Sequence, residues 1–202
     1  MVNPSLPSQI SKEEINTFPL ARFDGEIHLI TEQKDVASAV AQLRREPILG
    51  FDTETRPAFK KGESYAVSLL QLATAEDVFL FRLNLVELSS ELKTLLEDES
   101  IYKFGIAIHD DLKALKRLSF FKPGGFIDLS KVAKKLGMQN LGLRSLAAII
   151  LKVRVSKGAR LSNWQGKELT LSQLHYAATD AWICREIYIY LRKEGRLKDP
   201  IV

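Results

Sequence analysis

The sequence predicts a single α/β domain, a β-sheet covered on its faces by helices. Its 202 residues, 46% of them hydrophobic, suffice for one core. Between residues 48 and 107, short apolar runs alternate with turn residues, as strands do; from Asp110 onward the apolar residues recur at helical spacing. Strands first and helices afterwards argue for a sheet with helices packed around it. Residues 1–22, rich in Ser, Pro and polar groups, read as an arm that lies on the surface or is partly disordered, and residues 23–202 as the domain.

Each element has a local cause. After the short apolar stretch IHLI, Thr31 is placed to cap a helix through DVASAVAQLRRE, with acids early and arginines late as the helix dipole favours, and Pro47 closes it. ILGFDTET, VSLLQLATA and DVFLFRL then read as strands, the last two joined by a polar turn at Glu76 and Asp77. A helix (SSELKTLLED) and a strand (IYKFGIA) follow. DDLKALKRL, LSKVAKKLG and LGLRSLAAIILK read as helices, the second ending at Gly137. Thr170 and Gln173 form a capping box for a long last helix that runs to Gly195. The intervening KVRVSKGARLSNWQGKE is a basic loop with one tryptophan, of a length that is usually functional or mobile.

No apolar run reaches the eighteen residues of a membrane span, and the N-terminus lacks the basic-then-apolar pattern of a signal peptide. The expectation is a soluble, cytoplasmic protein with no membrane partner. The lone Cys184 excludes an internal disulfide and a multi-cysteine metal site, and reads as a small buried side chain. Charge is unevenly placed: residues 1–100 carry 10 Lys/Arg against 17 Asp/Glu, and residues 101–202 carry 19 against 8. A basic half is one signature of a polyanion partner, although scattered solvated side chains give the same count.

The acids carry the chemistry. Asp52 and Glu54 lie two apart in FDTET, so a strand would point both carboxylates to one face, an unfavourable arrangement unless a cation joins them. Asp110 and Asp111 fall at a strand-to-helix junction, where one of them could equally be an N-cap. Asp180 shares a helix face with Tyr176 at i−4. FDTETRPAF, FGIAIHDDLKAL and LTLSQLHYAATDAW, in that order, resemble the three motifs of the ribonuclease D family within the DEDD superfamily of 3′-5′ exonucleases. The similarity covers about residues 51–190 and extends to VSLLQLAT, LGLRSLA and LSNW between the motifs.

This resemblance implies a ribonuclease H-like mixed sheet and a metal-dependent phosphodiesterase. Carried over by motif position, it implies Asp52, Glu54, Asp111 and Asp180 as metal ligands; Asp111 is preferred to Asp110 because Leu115 matches the apolar residue four positions on. Asp128 in GFIDLSKVA matches a recurrent acidic position of the family and reads equally as an N-cap. The superfamily divides between Tyr-x-x-x-Asp and His-x-x-x-x-Asp, and HYAATD satisfies both. With the helix starting at Thr170, Tyr176 lies on the face of Asp180 and His175 is turned about 100° away. Tyr176 is therefore assigned the catalytic role, orienting water, and His175 a packing or surface role.

Four clustered carboxylates suit two hard divalent cations, Mg²⁺ or Mn²⁺, which serve phosphodiester hydrolysis; no dinucleotide cofactor is called for. The implied substrate is the 3′ end of single-stranded DNA or RNA, and the implied products are nucleoside 5′-monophosphates. In the basic loop, Lys157 and Arg160 are candidates for the nucleic-acid backbone and Trp164 for base stacking, with core packing as the alternative for Trp164. Phe59 is a candidate wedge against the terminal base. Rival readings are a catalytically silent nucleic-acid-binding module on the same fold, and a nuclease of that fold that cuts internally or hydrolyses a nucleotide. The chain also resembles the short Werner-type exonuclease domain.

Overall fold

The computed structural model describes residues 6–197. Six strands, β1 (Glu26–Ile30), β2 (Ile48–Thr55), β3 (Val67–Ala73), β4 (Asp77–Arg82), β5 (Tyr102–Gly105) and β6 (Phe126–Asp128), form one sheet in the order β1-β4-β3-β2-β5-β6. β2 and β4 run antiparallel to β3, and the remaining neighbours are parallel, so the sheet is mixed. Among the described residues seven α-helices surround it: α1 (Lys12–Thr17), α2 (Gln33–Leu43), α3 (Ser90–Glu97), α4 (His109–Leu118), α5 (Leu129–Lys135), α6 (Leu143–Leu146) and α7 (Leu171–Lys193). No helix among the described residues is long and apolar enough to cross a membrane.

Strand alternation divides the core into two layers. Odd positions of β2, Leu49 and Phe51, face α2 and α3 and are buried with Val36, Leu43, Leu92 and Leu96. Even positions face α7, whose Ala177, Ala178 and Ala181 pack with Leu69 and Leu80. Farther along α7, Ile183 and Ile187 pack with Phe104 and Ile149. Each fully buried Leu or Phe here contributes about 1.5–3 kcal/mol. The small α7 side chains bring its backbone unusually near the sheet: a Cβ on Gly50 would lie 1.9 Å from the Ala181 carbonyl oxygen. Only glycine fits under the helix at this crossing.

The capping box at α7 forms as read, with the Thr170 hydroxyl accepting from Gln173 N and the Gln173 side chain accepting from Thr170 N. Gly195 ends the helix at φ 64°, a conformation glycine adopts freely. Other boundaries differ. At α2 the cap position is Glu32, without a side-chain bond, because the backbone is still extended there; Thr31 lies one residue too early, and Arg44 and Arg45 fall beyond the last turn. LGLRSLAAIILK forms α6 and then a π-helical turn, Ala147–Leu151, in which Ala147 to Ile150 are all buried. Lys152, at φ 58°, stops it.

Residues 6–22 hold to the domain through specific bonds. Gln139 N donates to Ser8 O, Leu20 bridges to Arg154, and Arg154 Nε donates to the Phe18 carbonyl at 3.1 Å. α1 within this segment buries Ile15, an element the composition did not suggest. A buried lysine is also accounted for: Lys103 Nζ donates to the carbonyls of Leu95 and Asp98 at the C-terminus of α3, where the helix dipole favours a cation.

Candidate active site

β2, α4 and α7 converge on the predicted acids. Asp52 and Glu54 leave the same face of β2, paired across the ladder with Gln71 and Leu69, and the register shifts immediately after Glu54. Asp180 reaches them from α7, because Gly50 lets the helix approach. Carboxylate oxygens of Asp52, Glu54 and Asp180 lie within 4.8 Å of one another. Asp111 stands next to this triad and outside it: the Thr53 hydroxyl, on the opposite face of β2, donates to its Oδ1. Asp110 is exposed at the start of α4 and takes no part.

Such a cluster is electrostatically costly. Burial, then the charges of Asp180 and Asp111, raise Asp52 far above the usual carboxyl range. Burial and the charges of Asp52, Asp180 and Asp111 push Glu54 up to about 9, with Arg160 opposing. Asp180 rises to about 7 through burial, with the Tyr176 hydroxyl acting the other way, and Asp111 rises by burial. None of the salt bridges among the described residues involves these acids, and Asp180 Oδ1 is buried without a hydrogen-bond partner. A divalent cation is the group that fits: it would supply the missing charge and take up the orphaned oxygen.

The Tyr176 hydroxyl meets Asp180, and His175 lines a cavity beside both while turning toward Arg22. Burial first, then the charges of Asp180 and Glu54, hold the Tyr176 phenol above its ordinary range, so it stays protonated and can only donate or accept a hydrogen bond. His175 instead lies 2.5 Å from Arg22, whose guanidinium must be the donor.

The remaining candidates separate. Lys157 and Arg160 are exposed and line a cavity that also includes Tyr176 and Asp180. Phe59 is 77% exposed beyond the end of β2. Trp164 requires correction: it is 0% exposed, packed among Ala159, Ala177 and Ala178 with its ring 6.1 Å from that of Tyr176. It has no face to offer a base, and it backs Tyr176 instead. The loop that carries it is tied down by Arg82, whose side chain donates to the Gly166 carbonyl at 2.6 Å, and by Gln173, which donates to Asn163 O.

A family model described as 3′-5′ exonuclease matches residues 27–196. The chain belongs to this 3′-5′ exonuclease family. Among its relatives, the bifunctional 3′-5′ exonuclease/ATP-dependent helicase WRN of Mus musculus is 32% identical over 194 residues, covering 91% of this chain and 14% of the relative. Ribonuclease D of Gluconacetobacter diazotrophicus is 30% identical over 177 residues, covering 84% of this chain and 44% of the relative. The chain thus spans less than half the length of either. Among solved structures, the Aedes aegypti Nibbler EXO domain superposes with a TM-score of 0.75 at 25% identity, covering 84% of this chain and 88% of that one. Escherichia coli RNase D gives 0.73 at 26% identity, covering 85% and 46%. The mixed sheet flanked by helices is therefore the exonuclease fold that the motifs implied.

Within this exonuclease domain, the N-cap reading of Asp128 holds, while sequence reading missed Ala107 and Thr53, which place Asp111. Asp128 is the N-cap of α5, and its Oδ1 also accepts from Ala107 N at 3.0 Å. Ala107 has φ 54°, a left-handed conformation that costs a non-glycine residue about 1 kcal/mol, and it leads directly into α4 and Asp111. Thr53 was visible only as the residue between two acids; strand alternation was the signal that it points elsewhere.

The raised carboxyls predict how this exonuclease domain responds to pH. Glu54 titrates near 4.5 unfolded and about 9 folded, and Asp180 near 3.8 unfolded and about 7 folded. Between those limits the folded state keeps protons that the unfolded state has released. Metal-free stability is therefore expected to fall as pH rises through this window. Cation binding requires the ionised acids, so the increase in melting temperature with Mn²⁺ should be larger at pH 8.5 than at pH 5. Melting curves at both values, with Mn²⁺ and with chelator, check this; an equal Mn²⁺ effect at the two would contradict it.

Proposed function

We propose that the domain is a 3′-5′ exonuclease that removes nucleoside 5′-monophosphates from the 3′ end of single-stranded nucleic acid, using two divalent cations, Mg²⁺ or Mn²⁺. The observation that carries this reading is the triad Asp52, Glu54 and Asp180, drawn from a strand and a helix onto one point and joined by none of the salt bridges among the described residues. The triad would hold one cation, and Asp111, sharing a carboxylate with it, would hold the other. When bound, the cations supply the charge that lowers the pKa of water and stabilises the leaving 3′ oxygen. Tyr176, as a neutral phenol, orients the attacking water by a hydrogen bond and does not take its proton. Trp164 fixes the Tyr176 ring from behind. Lys157 and Arg160 attract the strand's phosphates, and Phe59 offers an apolar surface to the terminal base.

The test is a time course on 5′-labelled DNA and RNA oligonucleotides with Mg²⁺, Mn²⁺ or chelator. The expected result is a ladder that shortens one nucleotide at a time from the 3′ end and is absent in chelator. An intact band, or cuts at internal positions, would refute the reading. The relative rates on the two sugars assign the substrate.

A further inference from the structure

We propose that Arg144 is a phosphate-binding residue of the active site, gripping the backbone of the bound strand beside the linkage that is cut. This deepens the exonuclease reading and rests on it. Arg144 stands in α6, in the LGLRSLA segment between the second and third motifs. It lines a cavity of about 280 Å³ together with Ser156, Lys157, Arg160, Tyr176 and Asp180. The same cavity is thus lined by Tyr176 and Asp180 of the catalytic group and by three cations, Arg144, Lys157 and Arg160. A strand whose end lies at Asp180 has this space beside it for its next phosphate.

The bonding of Arg144 suits it to that task. Its Nε donates to the Val155 carbonyl at 3.0 Å, which fixes the direction of the guanidinium. Among the described residues no other hydrogen bond or ion pair engages the group, so its two terminal amino groups keep four N–H donors for a ligand. A half-buried arginine oriented by one bond and open at its fork is preorganised for two phosphate oxygens. Lys157 and Arg160, exposed and on long side chains, lack such an anchor and act as diffuse positive charge.

A purely structural role is the competing account, since the bond to Val155 also holds the start of the basic loop. Arg144→Gln separates the two: glutamine keeps a donor for the Val155 carbonyl and removes the charge and the fork. Binding of 5′-fluorescein 12-mers of oligo-dT and oligo-U, followed by anisotropy in chelator from 50 to 300 mM NaCl, reads the contact without cleavage. The expected result is an unchanged melting temperature, a Kd raised about tenfold at low salt, and a slope of log K against log salt reduced by about 0.7, the loss of one phosphate contact. With metal present, KM should rise more than kcat falls. Wild-type affinity and slope in Arg144→Gln, or no binding of either 12-mer by the wild type, would overturn the proposal. Loss of the contact in a protein that binds but never shortens these strands would uphold it while refuting the exonuclease reading; a normal ladder with an unaltered Arg144→Gln slope would do the reverse.

Discussion

Asp52→Asn is expected to slow hydrolysis about a thousandfold and at the same time to make the metal-free protein more stable at alkaline pH. Asp52 is one of three acids whose carboxylate oxygens lie within 4.8 Å of one another, and among these charges its own raises the Glu54 carboxyl most. Removing it weakens any cation the triad holds, and the loss in rate should reach about a thousandfold, equivalent to about 4 kcal/mol in the barrier. The opposite effect on stability has the same cause. Burial and like charges raise this carboxyl, so the wild type is destabilised as pH climbs and Asp52 is forced to ionise. Asparagine resembles the protonated acid in shape and cannot ionise. In chelator the variant should melt higher than the wild type at pH 8.5, with the difference narrowing toward pH 4. Melting curves and the oligonucleotide ladder together check the prediction. Retained activity would remove Asp52 from the site, and a lower melting point at pH 8.5 would mean that the cluster is not strained.

Gly50→Ala is expected to damage both fold and activity, although residue 50 is not itself an acid. The added Cβ would meet the Ala181 carbonyl oxygen at 1.9 Å and its carbon at 2.8 Å, and these are backbone atoms that cannot rotate away. α7 must lift from β2 or the strand must bend. Overpacking of this kind costs about 1–3 kcal/mol, and more where backbone is displaced. Since Asp180 immediately precedes Ala181, the displacement carries one acid away from the other two. The denaturant midpoint should fall, and kcat should fall further than stability alone explains, because a shift of a fraction of an ångström already misplaces a ligand set. A variant with normal midpoint and normal rate would show that the crossing is not what aligns the triad.

These two positions show what could be read in advance. Asp52 and Glu54 were legible because a strand alternates every two residues, and Tyr176 with Asp180 because a helix returns every 3.6; both rules act over a few residues. The Thr170–Gln173 capping box and the stop at Gly195 are equally local, and both formed as read. Thr31 failed as a cap because one residue of extended backbone decides where a helix starts, and composition does not fix that. Trp164 was ambiguous because an aromatic in a basic loop has the same letters whether it faces solvent or core; contact with Ala177 and Ala178 of α7 settles it as core.

The chain's own letters thus supplied the candidates: four carboxylates and a tyrosine at spacings that periodic backbone turns toward common faces. The tertiary structure alone decided which of them meet. Asp128 restrains Ala107 across 21 residues, Thr53 holds Asp111 across 58, and Gly50 admits α7 from more than a hundred residues away. Arg144 gains its place beside Asp180 the same way, through packing that no local pattern records. The reason is physical. Hydrogen bonding and periodicity within an element depend on neighbours in sequence, whereas the distance between two acids depends on how closely a helix and a sheet can pack, and here that is set by the absence of one methyl group.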